Sequence, residues 1–212
     1  MSAKPKIIAA IAVFSCLIVC LGLYLSQAQI DMTKYVVVVD PVKIAGNRTL
    51  HEVNGSITLC VPVAVKKDGT VHEVMNNLTV YCPDKTEYHP EVKIVNTRYG
   101  RVLKIVTDRY TVVKGYYSHR APLLAPYDYV KPSTLVEHDD VEEVYIYLNS
   151  SGDASYVRLK LRIEGGACTE WGGKLGYIWH GAHYIWAFAG EYKNWIILRE
   201  GWNCCPYMCM II

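Results

Sequence analysis

Residues 155–163, SYVRLKLRI, place Val157, Leu159, Leu161 and Ile163 at every second position, with Arg158, Lys160 and Arg162 between them. A period of two marks a strand with one buried and one solvated face, and a helix would scatter those apolar residues around its axis. Similar runs recur. YVVVV (35–39), SITLCVPVAV (56–65), EVKIVN (91–96), RVLKIVTDRYTVV (101–113) and VEEVYIYLN (141–149) are rich in Val, Ile and Tyr. Turn-forming residues bound them, which is the strand and hairpin signal. KKDGT predicts a turn after residue 65, TRYG a hairpin between the runs at 91 and 101, and SSGDA a hairpin between the runs at 141 and 155. Pro62 cannot donate to a ladder and predicts an edge or a bulge. Residues 116–140 carry three prolines and no period, and read as a long connection. The expected fold class is all-β: an antiparallel β-sandwich built from hairpins and linked by disulfides, behind an N-terminal apolar helix.

GYIWHGAHYIWAFAG (176–190) reads almost the same on either side of HGAH. A hairpin with Gly181-Ala182 as its loop would pair Trp179 with Tyr184 and Tyr177 with Trp186. Tyr177, Trp179, Tyr184, Trp186 and Phe188 would then share a face. The expectation is a core wall, since each ring can bury about 150–250 Å². The alternative is an exposed ligand platform of Tyr177, Trp179, Tyr184 and Trp186 on which sugars stack. NWIILREGW (194–202) is expected to extend this meander by one strand.

The N-terminus sets the compartment. Lys4 and Lys6 precede residues 7–25, which carry no charge, and Ser26 and Ala28 are small. That is the pattern of a secretory signal cleaved after Ala28, or of a retained membrane anchor. The chain thus divides into a signal or anchor, 1–28, and an extracellular β domain with a Cys-rich tail, 29–212. Behind the leader remain Cys60, Cys82, Cys168, Cys204, Cys205 and Cys209. An even count in an exported chain reads as disulfides. Cys60 with Cys82 is the expected first pair, Cys168 taking one C-terminal cysteine. Sequons stand at Asn47, Asn54, Asn77 and Asn149, and four in an exported chain point to a glycosylated surface.

Charge excludes one class of partner. The whole chain has 22 basic and 20 acidic residues, and the leader holds two of the basic ones. The remaining body is balanced, whereas nucleic-acid binding needs a concentrated basic surface. Chemistry-bearing patterns are sparse. His180 and His183 form an HxxH and His138, Asp139 and Asp140 lie in EHDD, but two histidines flanking a turn are usually a polar tip, and no metal is expected. Glu137, Glu142 and Glu143 read as a solvated acidic cluster rather than a glycosidase pair. No GxSxG is present, and no cofactor is expected.

These observations predict a non-enzymatic exterior glycoprotein, a structural subunit of a filament or surface layer that self-associates. The strand Tyr35, Val36, Val37, Val38 and Val39 sits in an N-terminal arm that could complete a neighbour's sheet. The alternative is a lectin-like or receptor-binding module with a carbohydrate or cell-surface partner. Contact with a membrane is expected only through an uncleaved N-terminal segment.

Overall fold

A computed structural model of the chain describes residues 4–25, 28–83, 88–122, 130–138, 141–169, 180–189 and 192–199. Helix α1 (Lys4–Leu25) is followed by β1 (Ala28–Ala45), β2 (Arg48–Leu50), β3 (Glu52–Pro62) and β4 (Ala64–Lys66). A 3-10 turn, Glu73–Asn76, leads to β5 (Thr79–Tyr81), β6 (Glu91–Thr97), β7 (Gly100–Arg109) and β8 (Thr111–Pro122). Then come β9 (Val130–Pro132), β10 (Leu135–His138), β11 (Val141–Ser150), β12 (Tyr156–Thr169), β13 (His180–Ala189) and β14 (Tyr192–Arg199). The protein is predominantly β and antiparallel, with one α-helix among the described residues, near the N-terminus. Over the side chains described, which in α1 are those of 12–22, no helix is long and apolar enough to cross a membrane.

The first sheet runs β13-β12-β1-β8-β5, with β2 on β1, and the second runs β10-β11-β3-β7-β6, with β14 on β11. One hydrophobic cluster draws on both: Tyr35, Val37 and Val39 of β1 and Leu159 and Leu161 of β12 meet Ile57 and Leu59 of β3 and Ile146 and Leu148 of β11. Two sheets whose apolar faces share one core are consistent with a sandwich. The alternation of β12 holds: Val157, Leu159, Leu161 and Ile163 are buried, Lys160 is exposed, and Arg158 and Arg162 are partly so.

Several connections differ from expectation, for one physical reason: turn chemistry reports a change of direction but not which sheet receives the next strand. SSGDA joins β11 in the second sheet to β12 in the first, so it is a corner and not a hairpin. RVLKIVTDRYTVV breaks at Tyr110, where β7 of one sheet becomes β8 of the other. There the hydroxyls of Thr107 and Thr111 both donate to the Arg109 carbonyl at 3.0 Å. β14 pairs with β11, not with β13. Residues 116–122, 130–132 and 135–138 of the expected long connection belong to β8, β9 and β10. The TRYG hairpin is present, closing with Thr97 opposite Gly100. After KKDGT the return is a single bridge, Val65 to Val71, before the 3-10 turn. Pro62 is the last residue of β3, and its carbonyl accepts a 2.8 Å bond from the buried Tyr35 hydroxyl.

The HGAH loop is also corrected. β13 runs unbroken through 180–189, with Gly181 opposite Glu164 and Ala182 opposite Ile163. Ladder pairing with β12 takes the place of a turn, and it aligns Tyr184 with Leu161, Trp186 with Leu159 and Phe188 with Val157.

Gly115 of β8 lies under the 3-10 turn, where a Cβ would stand 2.6 Å from the Val74 carbonyl oxygen and 2.9 Å from a Leu78 methyl. The Gly115→Ala protein is therefore expected to lose about 1–3 kcal/mol, measured by urea denaturation, because backbone cannot yield as a side chain can.

Candidate functional site

The outer face of the second sheet carries the most distinctive surface. β11 buries Val144, Ile146 and Leu148 completely. Period two therefore turns Tyr145, Tyr147 and Asn149 outward, and all three are partly exposed. Trp195 of β14 stands opposite Tyr147, and Ile197, 44% exposed, stands opposite Tyr145. Tyr99, from the turn between β6 and β7, stacks on Tyr145 with ring centroids 4.2 Å apart and planes 8° from parallel. It meets Trp195 at 4.6 Å, and Trp195 lies 5.6 Å from Tyr147. The Arg98 guanidinium sits 4.7 Å from the Tyr99 ring centre. Each aromatic pair adds about 0.5–1.5 kcal/mol beyond area burial. The result is a continuous ribbon of four rings on a rigid sheet. Tyr145 and Tyr147 were visible in the alternation of VYIYLN; that Trp195 and Tyr99 join them depends on pairings between distant segments.

A second cluster closes one end of the core. At the start of β1 the inward positions change from apolar to polar, with Asp31 and Thr33 buried. Asp31 accepts from Gln29 Nε2 at 2.6 Å and lies 3.5 Å from His119 Nε2. The Thr33 hydroxyl lies 3.3 Å from Nε2 of the fully buried His72. His72 Nδ1 accepts from the Val74 amide at 3.1 Å. Neutral imidazole then carries its proton on Nε2 and donates it to Thr33. In this tautomer His72 cannot take a proton from the Thr33 hydroxyl, so the pair fixes the 3-10 turn to β1 rather than activating a nucleophile.

A third group joins buried Asp40 to His51 and Arg158. His51 Nδ1 lies 2.7 Å from Asp40 Oδ1, and Arg158 bonds Asp40 Oδ2 through Nε at 2.8 Å and through Nη2. The Asp–His half resembles a catalytic dyad, but such a dyad acts on a hydroxyl or thiol within reach of the other ring nitrogen. Among the described residues His51 has no such contact; its further neighbour is the Tyr110 ring, edge-on at 6.3 Å.

The sequence-predicted residues fall as follows. Cys60 and Cys82 are buried and unbridged. Their expected disulfide is not formed because Cys60 points to the outer side of the second sheet, opposite Tyr147 and Lys104, while Cys82 follows β5 of the first, 3.4 Å from the Thr111 hydroxyl. Burial pushes the Cys60 thiol up, with Lys104 pulling the other way. A buried, protonated thiol is inert. Alkylation in denaturant without reductant is expected to label both residues, and labelling that requires reduction would restore the bridge. Cys168 lies in β12 opposite Ile30; Cys204, Cys205 and Cys209 lie outside the described residues.

Asn47, in the turn from β1 to β2, and Asn77, after the 3-10 turn, are exposed. Asn54 is exposed and donates its amide to Asp153 Oδ2 at 3.2 Å. Tyr35–Val39 form no free arm: β1 is paired along one edge with β8 and along the other with β12 of the same chain. The aromatic platform is corrected for Tyr184, which is fully buried, and Trp186 packs against the core beside Phe188. Tyr177 and Trp179 lie outside the described residues. His180 and His183 lie in β13 of the first sheet and His138 in β10 of the second. Asp139 and Asp140 lie outside the described residues, among which no cluster of His, Cys, Asp and Glu could hold a metal. Glu137 and Glu142 are cross-strand neighbours in the hairpin of β10 and β11, with Glu143 next along.

Comparison with protein-family models, curated proteins and solved structures returns no match to this chain.

Proposed function

We propose that the chain is a non-enzymatic glycoprotein of a cell or virion exterior, a structural subunit of a surface layer or filament whose β body is delivered by α1. The observation that carries this is the surface of α1. Val13, Phe14, Leu17, Ile18, Val19 and Leu21 are each 55–64% exposed. A helix apolar on every side needs another body to cover it. Export machinery and a bilayer cover it during delivery, and the same helix in other copies covers it where it is retained. Lys4 and Lys6 ahead of the uncharged run support the export role. Tyr35–Val39 pair on both edges within the chain, so this reading places assembly on α1 in preference to strand exchange. Cys168, Cys204, Cys205 and Cys209 supply the disulfides of this reading. Negative-stain microscopy of full-length and 29–212 proteins tests it: polymers of the first only support assembly through α1, and monomers of both refute it.

The aromatic ribbon favours a second reading, a carbohydrate-binding module working through Tyr99, Tyr145, Tyr147 and Trp195. Stacked rings on a rigid face suit the apolar side of a pyranose. Trp195→Ala is then expected to abolish binding to immobilised glycans while circular dichroism stays unchanged. Binding that survives the substitution would remove this reading.

A further inference from the structure

We infer that Asn149 carries an N-linked glycan whose first sugar lies against Tyr147 and Trp195, so that the glycan is a packed part of the second sheet's outer face. The inference rests on the exported-glycoprotein reading. Asn149 begins the sequon NSS at 149–151. Unlike Asn47 and Asn77, which stand at turns, it lies inside a strand paired on both sides, with Thr58 on one and Lys193 on the other. Leu148 and Ser150 beside it are buried, so Asn149 is on the outer face, where it is partly exposed. Asn54 is engaged with Asp153.

The surroundings suit a sugar. Tyr147 is two residues earlier on the same face, about 7 Å along the strand. Trp195 is paired with Tyr147 and is therefore diagonal to Asn149, about 7–8 Å away. On the opposite side β3 presents Thr58 and Cys60, both short, next to Asn149 and Tyr147. Two rings thus form a ridge beside a lower floor, and a pyranose attached at Asn149 Nδ2 can set its apolar C–H face on the ridge with its hydroxyls toward water. Transfer from a polyprenyl-diphosphate-linked oligosaccharide forms the bond between Nδ2 and sugar C1, breaks the bond from C1 to the diphosphate oxygen, and releases one amide proton. The diphosphate carrier leaves. Since Asn149 is hemmed in by strands once folded, transfer precedes closure of the second sheet.

The test uses the full chain made in a eukaryotic secretory host, trimmed by endoglycosidase to one N-acetylglucosamine per site. Peptide mass mapping is expected to find that sugar on Asn149. The trimmed protein is expected to melt about 2–4 °C above its Asn149→Gln variant, and the gap to vanish when Tyr147 and Trp195 are both replaced by threonine. Ring currents are expected to move the sugar's proton resonances upfield in the parent protein only. A bare Asn149 beside occupied Asn47 and Asn77 overturns this inference and leaves the exterior reading standing. A gap that persists without the two rings, or unshifted sugar resonances, overturns the packing. Sequons bare throughout overturn both.

Discussion

Tyr184→Ala is expected to lower the unfolding free energy by about 3–5 kcal/mol, the cost of deleting a large buried aromatic. Tyr184 is fully buried and sits in the cluster that joins the two sheets, across from Leu161. The cavity left behind faces β-sheet on both sides, which cannot collapse as a loop can. Against a typical total of about 5–15 kcal/mol, the loss is a large share of the fold's stability. Thermal unfolding should shift down by roughly 10 °C for a domain of this size. Trp195→Ala on the outer face is expected to cost about 1–2 kcal/mol, from its aromatic contacts with Tyr99 and Tyr147. The contrast separates a core ring from a surface ring: equal effects at the two positions would contradict the burial pattern on which both sites rest.

Gly152→Ala is the second large effect, and it acts through backbone. The corner between β11 and β12 packs on the irregular stretch of β3, whose register shifts between Glu52 and Ile57. A Cβ on Gly152 would stand 2.0 Å from the Asn54 carbonyl oxygen and 2.8 Å from Gly55 Cα. Gly152 also has φ +102°, a region that side chains avoid. Gly55 faces it with its own Cβ position 2.2 Å from the Ser151 carbonyl oxygen. The two glycines let two backbones touch, and Ser151 then bonds Ser56 while Asp153 takes up the Asn54 amide at 2.8 Å. Strain and overpacking each cost about 1–3 kcal/mol, so the substitution is expected to lose about 3–5 kcal/mol in denaturant titration. A loss below about 1 kcal/mol would mean that the corner does not hold the sheets together.

Strand identity was legible where a strand carries its own evidence. β12 shows its two faces in nine consecutive residues, and the β6–β7 hairpin closes through its own turn. Legibility ended where a partner had to be chosen. SSGDA announces a reversal, yet Gly152 and Asp153 serve equally in a hairpin and in a corner between sheets. The near-palindrome around HGAH is satisfied by pairing with Leu159 and Leu161 of β12 just as well as by folding on itself, and the ladder of a whole strand outweighs one short turn. The valines of β1 announced a strong strand without saying that its neighbours would be β8 and β12. The aromatic ribbon failed to show for a related reason: Tyr99, Tyr145, Tyr147 and Trp195 come from three segments, each with a tyrosine or tryptophan count too ordinary to stand out. The sequon at Asn149 was legible, but the sequence alone sets it at the loop after the strand; its place inside β11, beside Tyr147 and Trp195, follows only from the register of β11 with β3 and β14.

Intact mass of the protein recovered from the cell or virion exterior, before and after enzymatic deglycosylation, tests most directly whether this β body is an exported glycoprotein. A fall in mass that accounts for sugar at the sequons Asn47, Asn54, Asn77 and Asn149 is the expected result. A protein found inside the cell at the mass of the bare chain, unchanged by the enzyme, would contradict it.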